Sequence, residues 1–198
     1  MTRKKTKSAH PRDQALPLFL AGAGLILLGI VVGLWLLQAG EKASASSSSP
    51  EMLQAASPAE VNYPAPELNL YNLKGEAVGL DDFRGQVVLV NNWATWCPPC
   101  KAEMPVLQDF YTDHAGLGFT ILAIELGEPP AEVASFVDQY GLTFPVLPDP
   151  TQSAMAAFQN YSLPSSYVID REGQVRLVWM GPVNRSVLDQ YLTPLLDQ

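Results

Sequence analysis

The pattern of apolar and polar residues divides the chain into three parts. An uninterrupted apolar segment runs from Leu16 to Leu37 and contains no charged residue. Residues 38–62 show no apolar periodicity and are rich in Ser, Ala, Glu and Pro. Residues 63–198 alternate between short apolar runs and amphipathic segments, which is typical of a folded domain. The pattern therefore predicts one folded domain that follows an apolar segment and a flexible linker.

Strand-like and helix-like segments alternate within residues 63–198. The predicted strands are 68–73, 77–80, 86–91, 119–125, 144–147, 166–170 and 175–180, and the predicted helices are 98–114, 131–140, 151–158 and 184–196. The first two strands flank Lys74-Gly75, and the last two are joined by residues 171–173, so each pair predicts a hairpin. This order of elements predicts an α/β fold with a mixed sheet covered by helices on both faces.

The apolar segment 16–37 is long enough to cross a membrane. Its 22 residues would span about 33 Å as a helix, and a bilayer has a hydrocarbon core of about 30 Å. Five of the twelve basic residues precede it, which predicts that residues 1–15 are cytoplasmic and that the folded domain lies outside. A cleavable signal peptide ending near residues 43–45 is the alternative, but the apolar core of a signal peptide is usually only about 7–15 residues long. We therefore expect a single-pass anchor in the cell membrane.

The charge of the predicted domain limits its partners. From Tyr63 onward there are sixteen acidic and six basic residues, a net charge of −10. A surface this acidic repels the phosphate backbone of nucleic acids. We therefore expect no nucleic-acid partner.

The only two cysteines of the chain form the motif Cys97-Pro98-Pro99-Cys100. A structural zinc site normally needs four ligands, and of the two histidines one lies before the apolar segment. A disulfide across so short a loop removes little chain entropy, so it is poorly suited to stabilising a fold. The sequence therefore predicts no metal and no cofactor other than a redox-active disulfide between the two cysteines.

The cysteine pair lies between a predicted buried strand and a predicted helix. Cys97 would therefore stand at a helix N-terminus, where unpaired N–H groups and the helix dipole stabilise a thiolate. Pro98 and Pro99 fit the first turn but lack the N–H groups that would stabilise it further. We expect a comparatively reducing couple, in which the exposed Cys97 attacks a substrate disulfide and Cys100 resolves the mixed disulfide.

The stretch from Trp93 to Pro105 resembles the active-site stretch of membrane-anchored thioredoxin-like proteins of the TlpA/ResA type, which belong to the redoxin group. The resemblance extends over residues 65–68, 85–88 and 167–170 and into the C-terminal helix. It implies a thioredoxin-like fold with an added N-terminal hairpin and a central strand–helix insertion. It also implies that the chain is a thiol–disulfide oxidoreductase.

Further site residues are implied by the same resemblance. Pro164 matches the proline that is cis in this fold and faces the cysteine pair, and the backbone of Leu163 would bind the substrate chain. Glu103 matches a glutamate that influences the titration of the thiols. Asn91 stands where thioredoxins have a buried aspartate. Apart from the resemblance, Trp96, next to Cys97, is either a candidate substrate contact or a packing residue.

The expectations for four other polar residues are less specific. Asn92 stands where the family usually has an aromatic residue, and its amide needs hydrogen-bond partners if it is buried. Glu125 and Glu128 follow the end of a predicted strand, a place where ligand sites can occur, but we interpret them as surface charges. His114 is interpreted as a helix-end residue without a catalytic part.

The leading functional hypothesis is a reductase of disulfides in exported proteins, for which apocytochrome c is a plausible substrate. A reductase outside the cytoplasm needs a membrane-embedded thiol donor. A disulfide oxidase or isomerase is the alternative, and a non-catalytic binding module or metal chaperone is a third reading. A peroxidase of the redoxin group is disfavoured, because such enzymes place the reactive cysteine after a threonine-containing loop rather than in a Cys-x-x-Cys pair.

Overall fold

A six-stranded sheet organises residues 57–197, which are the residues that the computed structural model describes. The predicted segments 1–15 and 16–37, together with most of the predicted linker, lie outside the described residues. Among residues 57–197, no helix combines the length and the apolar character needed to cross a membrane.

The sheet is mixed, as predicted. The strands are β1 (Ala59–Pro64), β2 (Asn69–Tyr71), β3 (Ala77–Gly79), β4 (Val87–Trp93), β5 (Phe119–Glu125), β6 (Val146–Pro148), β7 (Ser165–Ile169) and β8 (Gln174–Met180). The order in the large sheet is β1-β8-β7-β4-β5-β6, whereas β2 and β3 form a separate antiparallel hairpin. Strands β4, β5 and β6 are parallel to one another, and β7, β8 and β1 join them in antiparallel pairs.

Helices cover both faces of this sheet. They are α1 (Pro98–His114), α2 (Pro130–Tyr140), α3 (Ser153–Ala157), α4 (Arg185–Tyr191) and α5 (Thr193–Leu196), with a 3₁₀ helix at Leu80–Phe83. The odd-numbered positions of β4 pack with α1, α2 and α4 in one apolar cluster. The even-numbered positions pack with α3 and the β2–β3 hairpin in a second cluster. Every residue of β4 and β5 is buried, as expected for central strands covered on both sides.

The start of the domain differs from the prediction. Strand β1 begins at Ala59, four residues before the predicted domain boundary at residue 63, and pairs with β8 through Ala59↔Val178 and Pro64↔Gln174. Its side chains are mostly exposed, so it carries no alternation of buried and exposed positions that a sequence pattern could reveal. Backbone pairing with β8 is what makes this segment a strand.

The C-terminal helix is also divided, although the sequence predicts one continuous helix over residues 184–196. Helix α4 ends at Tyr191, and α5 begins at Thr193. Pro194 lies in the first turn of α5, a position that tolerates the missing N–H of proline, whereas the interior of a continuous helix does not. The two short helices therefore follow directly from this proline.

Candidate active site

The cysteine pair stands at the junction between β4 and α1. Cys97 is the N-cap of α1, and its Sγ accepts a hydrogen bond from Cys100 N at 3.3 Å. Cys97 and Cys100 form a disulfide with their Cα atoms 5.3 Å apart. Strand β4 brings the chain to this point, and the prolines at the first two helical positions start α1 there. The position of the pair at a helix N-terminus agrees with the sequence prediction.

The exposure of the two cysteines differs from the prediction in degree. Cys97 retains 4% of its accessible surface and Cys100 retains none. Cys97 is thus the more accessible partner, but in the disulfide it is buried rather than exposed, because its sulfur is turned inward to bond a fully buried residue. Pro98 and Pro99 on the outside of the turn are exposed.

Leu163 and Pro164 lie at the same edge of the sheet as the cysteine pair. The Leu163–Pro164 peptide bond is cis, as the resemblance implies. Strand β7 begins immediately afterwards, and Ser165 pairs with Asn92 near the end of β4. Leu163 also packs against the apolar cluster that contains both cysteines. Residues 66 positions apart along the chain (97 and 163) are therefore brought to one site by the pairing of β4 with β7.

An apolar groove continues from this edge. It has a volume of about 420 Å³. Two of its side chains, Trp96 and Tyr161, are 63% and 71% exposed. The residues that line the groove are Trp96, Leu126, Gln152, Met155, Tyr161 and Leu163. Trp96 and Leu163 are predicted site residues, whereas Tyr161 is not, although an aromatic residue three positions before Pro164 was an available signal.

Glu103 is buried in the first turns of α1. Only 1% of its surface is exposed, and its two carboxylate oxygens accept hydrogen bonds from Asn91 Nδ2 and from Val183 N, both at 2.9 Å. Burial raises the pKa of Glu103 to about 7, although the hydrogen bonds from Val183 and Asn91 act in the opposite direction. Glu103 is therefore a buried acid that changes its charge near neutral pH, and not an ordinary helix-surface charge.

Two buried asparagines at the end of β4 point to opposite faces of the sheet. Asn91 donates to Ser166 Oγ at 3.0 Å as well as to Glu103. Asn92 donates to Ser165 Oγ at 3.4 Å, which identifies the partner that its amide needs. The Oδ1 atoms of both asparagines have no hydrogen-bond partner among the described residues.

The interpretation of Glu125 and Glu128 as surface charges is wrong. Glu125 is completely buried, and its Oε2 accepts a hydrogen bond from Glu128 N at 3.3 Å. Glu128 is partly buried and accepts hydrogen bonds from Thr95 N, at 2.7 Å, and from Thr95 Oγ1. The fold buries them because Glu125 is the last residue of a central strand and the following loop turns back over the Thr95 segment.

His114 and the acidic residues offer no metal site in the part of the chain that is described. His114 is the last residue of α1; its Nδ1 bonds to Phe110 O at 2.8 Å, and its ring stacks on Phe110 at 4.1 Å between centroids. Within residues 57–197, no group of three or more His, Cys, Asp or Glu side chains is arranged to hold a metal ion.

Comparison with known proteins identifies the family. A family model described as the AhpC/TSA family matches residues 61–178, which is more than half of the chain. The chain belongs to the AhpC/TSA family. Within it, the thiol–disulfide oxidoreductase ResA of Geobacillus kaustophilus is 36% identical over 128 residues, covering 65% of this chain and 74% of the relative. ResA of Bacillus subtilis is 34% identical over 128 residues, covering 65% of this chain and 72% of the relative.

Solved structures show the fold of this AhpC/TSA member. A putative thiol:disulfide interchange protein DsbE from Chlorobium tepidum superposes with a TM-score of 0.64 at 28% identity, covering 68% of this chain and 96% of that structure. A putative thioredoxin from Neisseria meningitidis superposes with a TM-score of 0.63 at 30% identity, covering 68% and 90%. The predicted thioredoxin-like fold and the ResA-like resemblance are confirmed, and the protein is a thiol–disulfide oxidoreductase.

Proposed function

We propose that this protein is a membrane-tethered reductase that reduces disulfides in exported proteins through Cys97 and Cys100. The observation that carries the proposal is the position of this pair at the start of α1, one helical turn from the buried acid Glu103. A helix N-terminus supports a thiolate at Cys97, and an acid that titrates near neutral pH can exchange protons with the pair.

The reaction consists of two thiol–disulfide exchanges. The Cys97 thiolate attacks one sulfur of the substrate disulfide, forms a mixed disulfide and releases the other substrate sulfur as a thiolate. The Cys100 thiolate then attacks Cys97 Sγ, closes the Cys97–Cys100 disulfide and releases the second substrate sulfur. The substrate gains two electrons and two protons, and the enzyme loses both. The disulfide-bonded state described above is the product state of this cycle.

Glu103 acts as the proton acceptor and donor for the pair. With a pKa of about 7 it is divided between its protonated and ionised forms at neutral pH. Its ionised form accepts the proton that Cys100 must lose before it attacks, and its protonated form returns a proton to a leaving thiolate. The hydrogen bonds from Asn91 and Val183 keep the carboxylate in place while its charge changes.

The groove beside the pair serves as the substrate-binding surface. Trp96 is adjacent to Cys97, and Leu163 is adjacent to Pro164, so a chain that reacts with Cys97 passes both. A large apolar side chain of that substrate fits between Trp96, Tyr161 and Met155, which line the groove. Burial of such a side chain contributes about 1.5–3 kcal/mol to binding, which favours unfolded polypeptides over fully folded ones.

The membrane location and the electron donor form part of the same proposal. The apolar segment 16–37 and the basic residues before it support a single-pass anchor with the enzyme domain outside the cytoplasm. An enzyme in that place is re-reduced by a membrane-embedded thiol donor, because the cytoplasmic thiol pool is separated from it by the bilayer. Apocytochrome c, which exposes a cysteine pair before haem attachment, is the substrate that we propose first.

Reduction of insulin by the full chain in detergent tests this function. The reduced protein should produce free insulin thiols with a thiol donor in excess, and Cys97→Ser should abolish this while the circular dichroism spectrum stays unchanged. Equal turnover by Cys97→Ser would overturn the proposal. The reduction potential of the pair decides the direction of electron flow: a value as positive as about −120 mV would identify an oxidase, and a value near that of thioredoxin, about −270 mV, a reductase.

A further inference from the structure

Thr95 lies two residues before Cys97 and is held by a carboxylate from a different loop. Glu128 accepts one hydrogen bond from Thr95 N, at 2.7 Å, and a second from Thr95 Oγ1. The two residues are 33 positions apart in the sequence. Hydrogen bonds to an ionised acceptor are roughly twice as strong as neutral ones. Glu128 therefore fastens the turn before Cys97 to the loop that follows β5.

This turn decides where the sulfur of Cys97 stands. Cys97 N donates to Ala94 O at 3.2 Å, and Lys101 N donates to Cys97 O at 3.1 Å, so the turn leads directly into α1. Thr95 occupies the middle of the turn. A displacement of Thr95 therefore moves Cys97 relative to the helix N-terminus and to the apolar groove.

Glu125 supports Glu128 from the interior of the domain. Its Oε2 accepts the hydrogen bond from Glu128 N at 3.3 Å, and its Oε1 is buried without a hydrogen-bond partner among the described residues. It stands beside Trp93 in the register of β4 and β5. A buried carboxyl group with an unpartnered oxygen is more stable protonated than ionised.

The charged groups around this pair are mostly acidic. Asp149, at the end of β6, acts on Glu125 through its charge, and Glu132 lies in the first turn of α2. Lys101, on α1, is the basic group that acts on Glu128. One lysine, Lys101, faces Glu128 and two further carboxylates, Asp149 and Glu132, so a negative charge on Glu125 is left without compensation.

We propose that Glu125 and Glu128 form a proton-controlled clamp that positions the Cys97 turn. The proposal rests on the function proposed above, in which Cys97 is the attacking thiol. Protonated Glu125 donates a hydrogen bond to Glu128, which stays ionised and holds Thr95. When Glu125 loses its proton, two carboxylates meet in a buried place and repel each other. Glu128 is the partner with access to solvent, so it moves outward and releases Thr95.

The proton of Glu125 is lost in a pH range that experiments reach. Burial, together with the hydrogen bond and the charge of Glu128, raises the pKa of Glu125 to about 8. Burial also acts to raise the pKa of Glu128, but the hydrogen bonds from Thr95 outweigh it and the pKa is lowered. The two carboxyl groups are thus separated into one acid and one carboxylate, as in other pairs that share a proton.

The experiment measures the alkylation rate of Cys97 in the full chain, in a Cys100→Ser background. The rate constant is divided by the thiolate fraction, read from ultraviolet absorbance, so that only positioning effects remain. In the otherwise unchanged protein we expect it to fall about threefold or more between about pH 7 and pH 9, as Glu125 ionises. In Glu125→Gln, whose amide donates to Glu128 at every pH, we expect no fall.

Four further variants separate the clamp from other causes. Thr95→Val should lower the corrected rate near pH 7 to about the value that the unsubstituted protein has near pH 9, where Thr95 is already released, and Thr95→Ser, which keeps the hydroxyl, should restore it. Glu132→Gln removes an exposed charge nearby and should keep the fall. Glu103→Gln removes the titration near pH 7 and should also keep it. The clamp would be overturned if the corrected rate of the unsubstituted protein did not change with pH. It would also be overturned if Glu125→Gln kept the full fall in that rate, or if Glu132→Gln lost it.

The failure of the clamp is distinguishable from the failure of the proposed function. A protein that reduces insulin but whose corrected Cys97 rate does not change with pH contradicts only the clamp. A protein that reduces neither insulin nor a peptide disulfide contradicts the function itself.

Discussion

Asn91 donates a hydrogen bond of 2.9 Å to the carboxylate of Glu103, one helical turn beyond Cys100. Both residues are buried. An amide in this position supplies a donor without adding a second negative charge. The proton chemistry of the site is therefore concentrated on one carboxyl group, whose pKa burial raises to about 7.

Glu103→Gln should remove the step near pH 7 from the pH profile of Cys97 alkylation. The fold should survive, because Asn91 Oδ1, which has no partner among the described residues, can accept from the new amide once the Asn91 side chain turns over. Insulin reduction should fall by roughly 100-fold, the lower end of the range for the loss of a proton-transfer group. A profile that keeps its step at pH 7 would assign the titration to another group.

Asn91→Asp should shift the same step to higher pH. The new carboxylate would stand within hydrogen-bonding distance of Glu103, and like charges so close raise the pKa of one partner further. Asn92→Asp is the matched control, because Asn92 points to the other face of the sheet and bonds Ser165. An equal shift in both variants would mean that general acidity, not contact with Glu103, causes it.

The stability of the disulfide-bonded domain should decrease as the pH rises from about 4.5 to about 8. Burial raises the pKa of Glu103 and of Glu125 above their ordinary value of 4.5, to about 7 and about 8. Between pH 4.5 and the raised pKa of each group, the unfolded chain releases a proton that the folded chain retains. Each group therefore lowers the free energy of unfolding by at most about 1.4 kcal/mol per pH unit. The contribution of each protonated group to the stability is fully present below pH 4.5 and is lost once the pH rises above the pKa of that group in the folded protein.

Urea unfolding of the full chain, followed by tryptophan fluorescence at several pH values, measures this decrease. Glu125→Gln should flatten the upper part of the pH dependence, and Glu103→Gln the part up to about pH 7. A stability that rises over this interval in the unsubstituted protein would contradict the assignment of both groups as buried acids.

Trp96→Ala and Tyr161→Ala should weaken the binding of unfolded substrates. Each removes an exposed aromatic side chain from the groove, at a cost of about 1 kcal/mol, or roughly fivefold in kcat/KM. The effect should appear in KM rather than in kcat, since neither ring takes part in the exchange. Tyr71→Ala is the control, because Tyr71 is a similarly exposed tyrosine (65%) on the β2–β3 hairpin. An equal loss in all three variants would argue against a specific groove.

Much of the fold could be predicted from local signals. The bounds of α1 and β5 agree with the predictions residue for residue, because prolines mark the start of α1 and a continuous apolar run marks β5. Gly141, with φ at +62°, ends α2 where the sequence indicates. Strand β1 could not be predicted, since its exposed side chains carry no pattern and its pairing partner lies more than a hundred residues away.

The sequence by itself determined the chemistry of this protein: two cysteines at the start of a helix allow thiol–disulfide exchange and little else. The tertiary structure decided which carboxyl groups tune it. The family resemblance points to Glu103, and Glu125 looks like an ordinary charge in the sequence, but it is the packing of α1 and of the loop after β5 that buries both. Val183, which donates to Glu103, lies 80 residues away from it, and Thr95, which donates to the Glu128 that bonds Glu125, lies 33 residues away from Glu128. Burial and hydrogen bonding depend on contacts between distant segments, so no local pattern of residues records them.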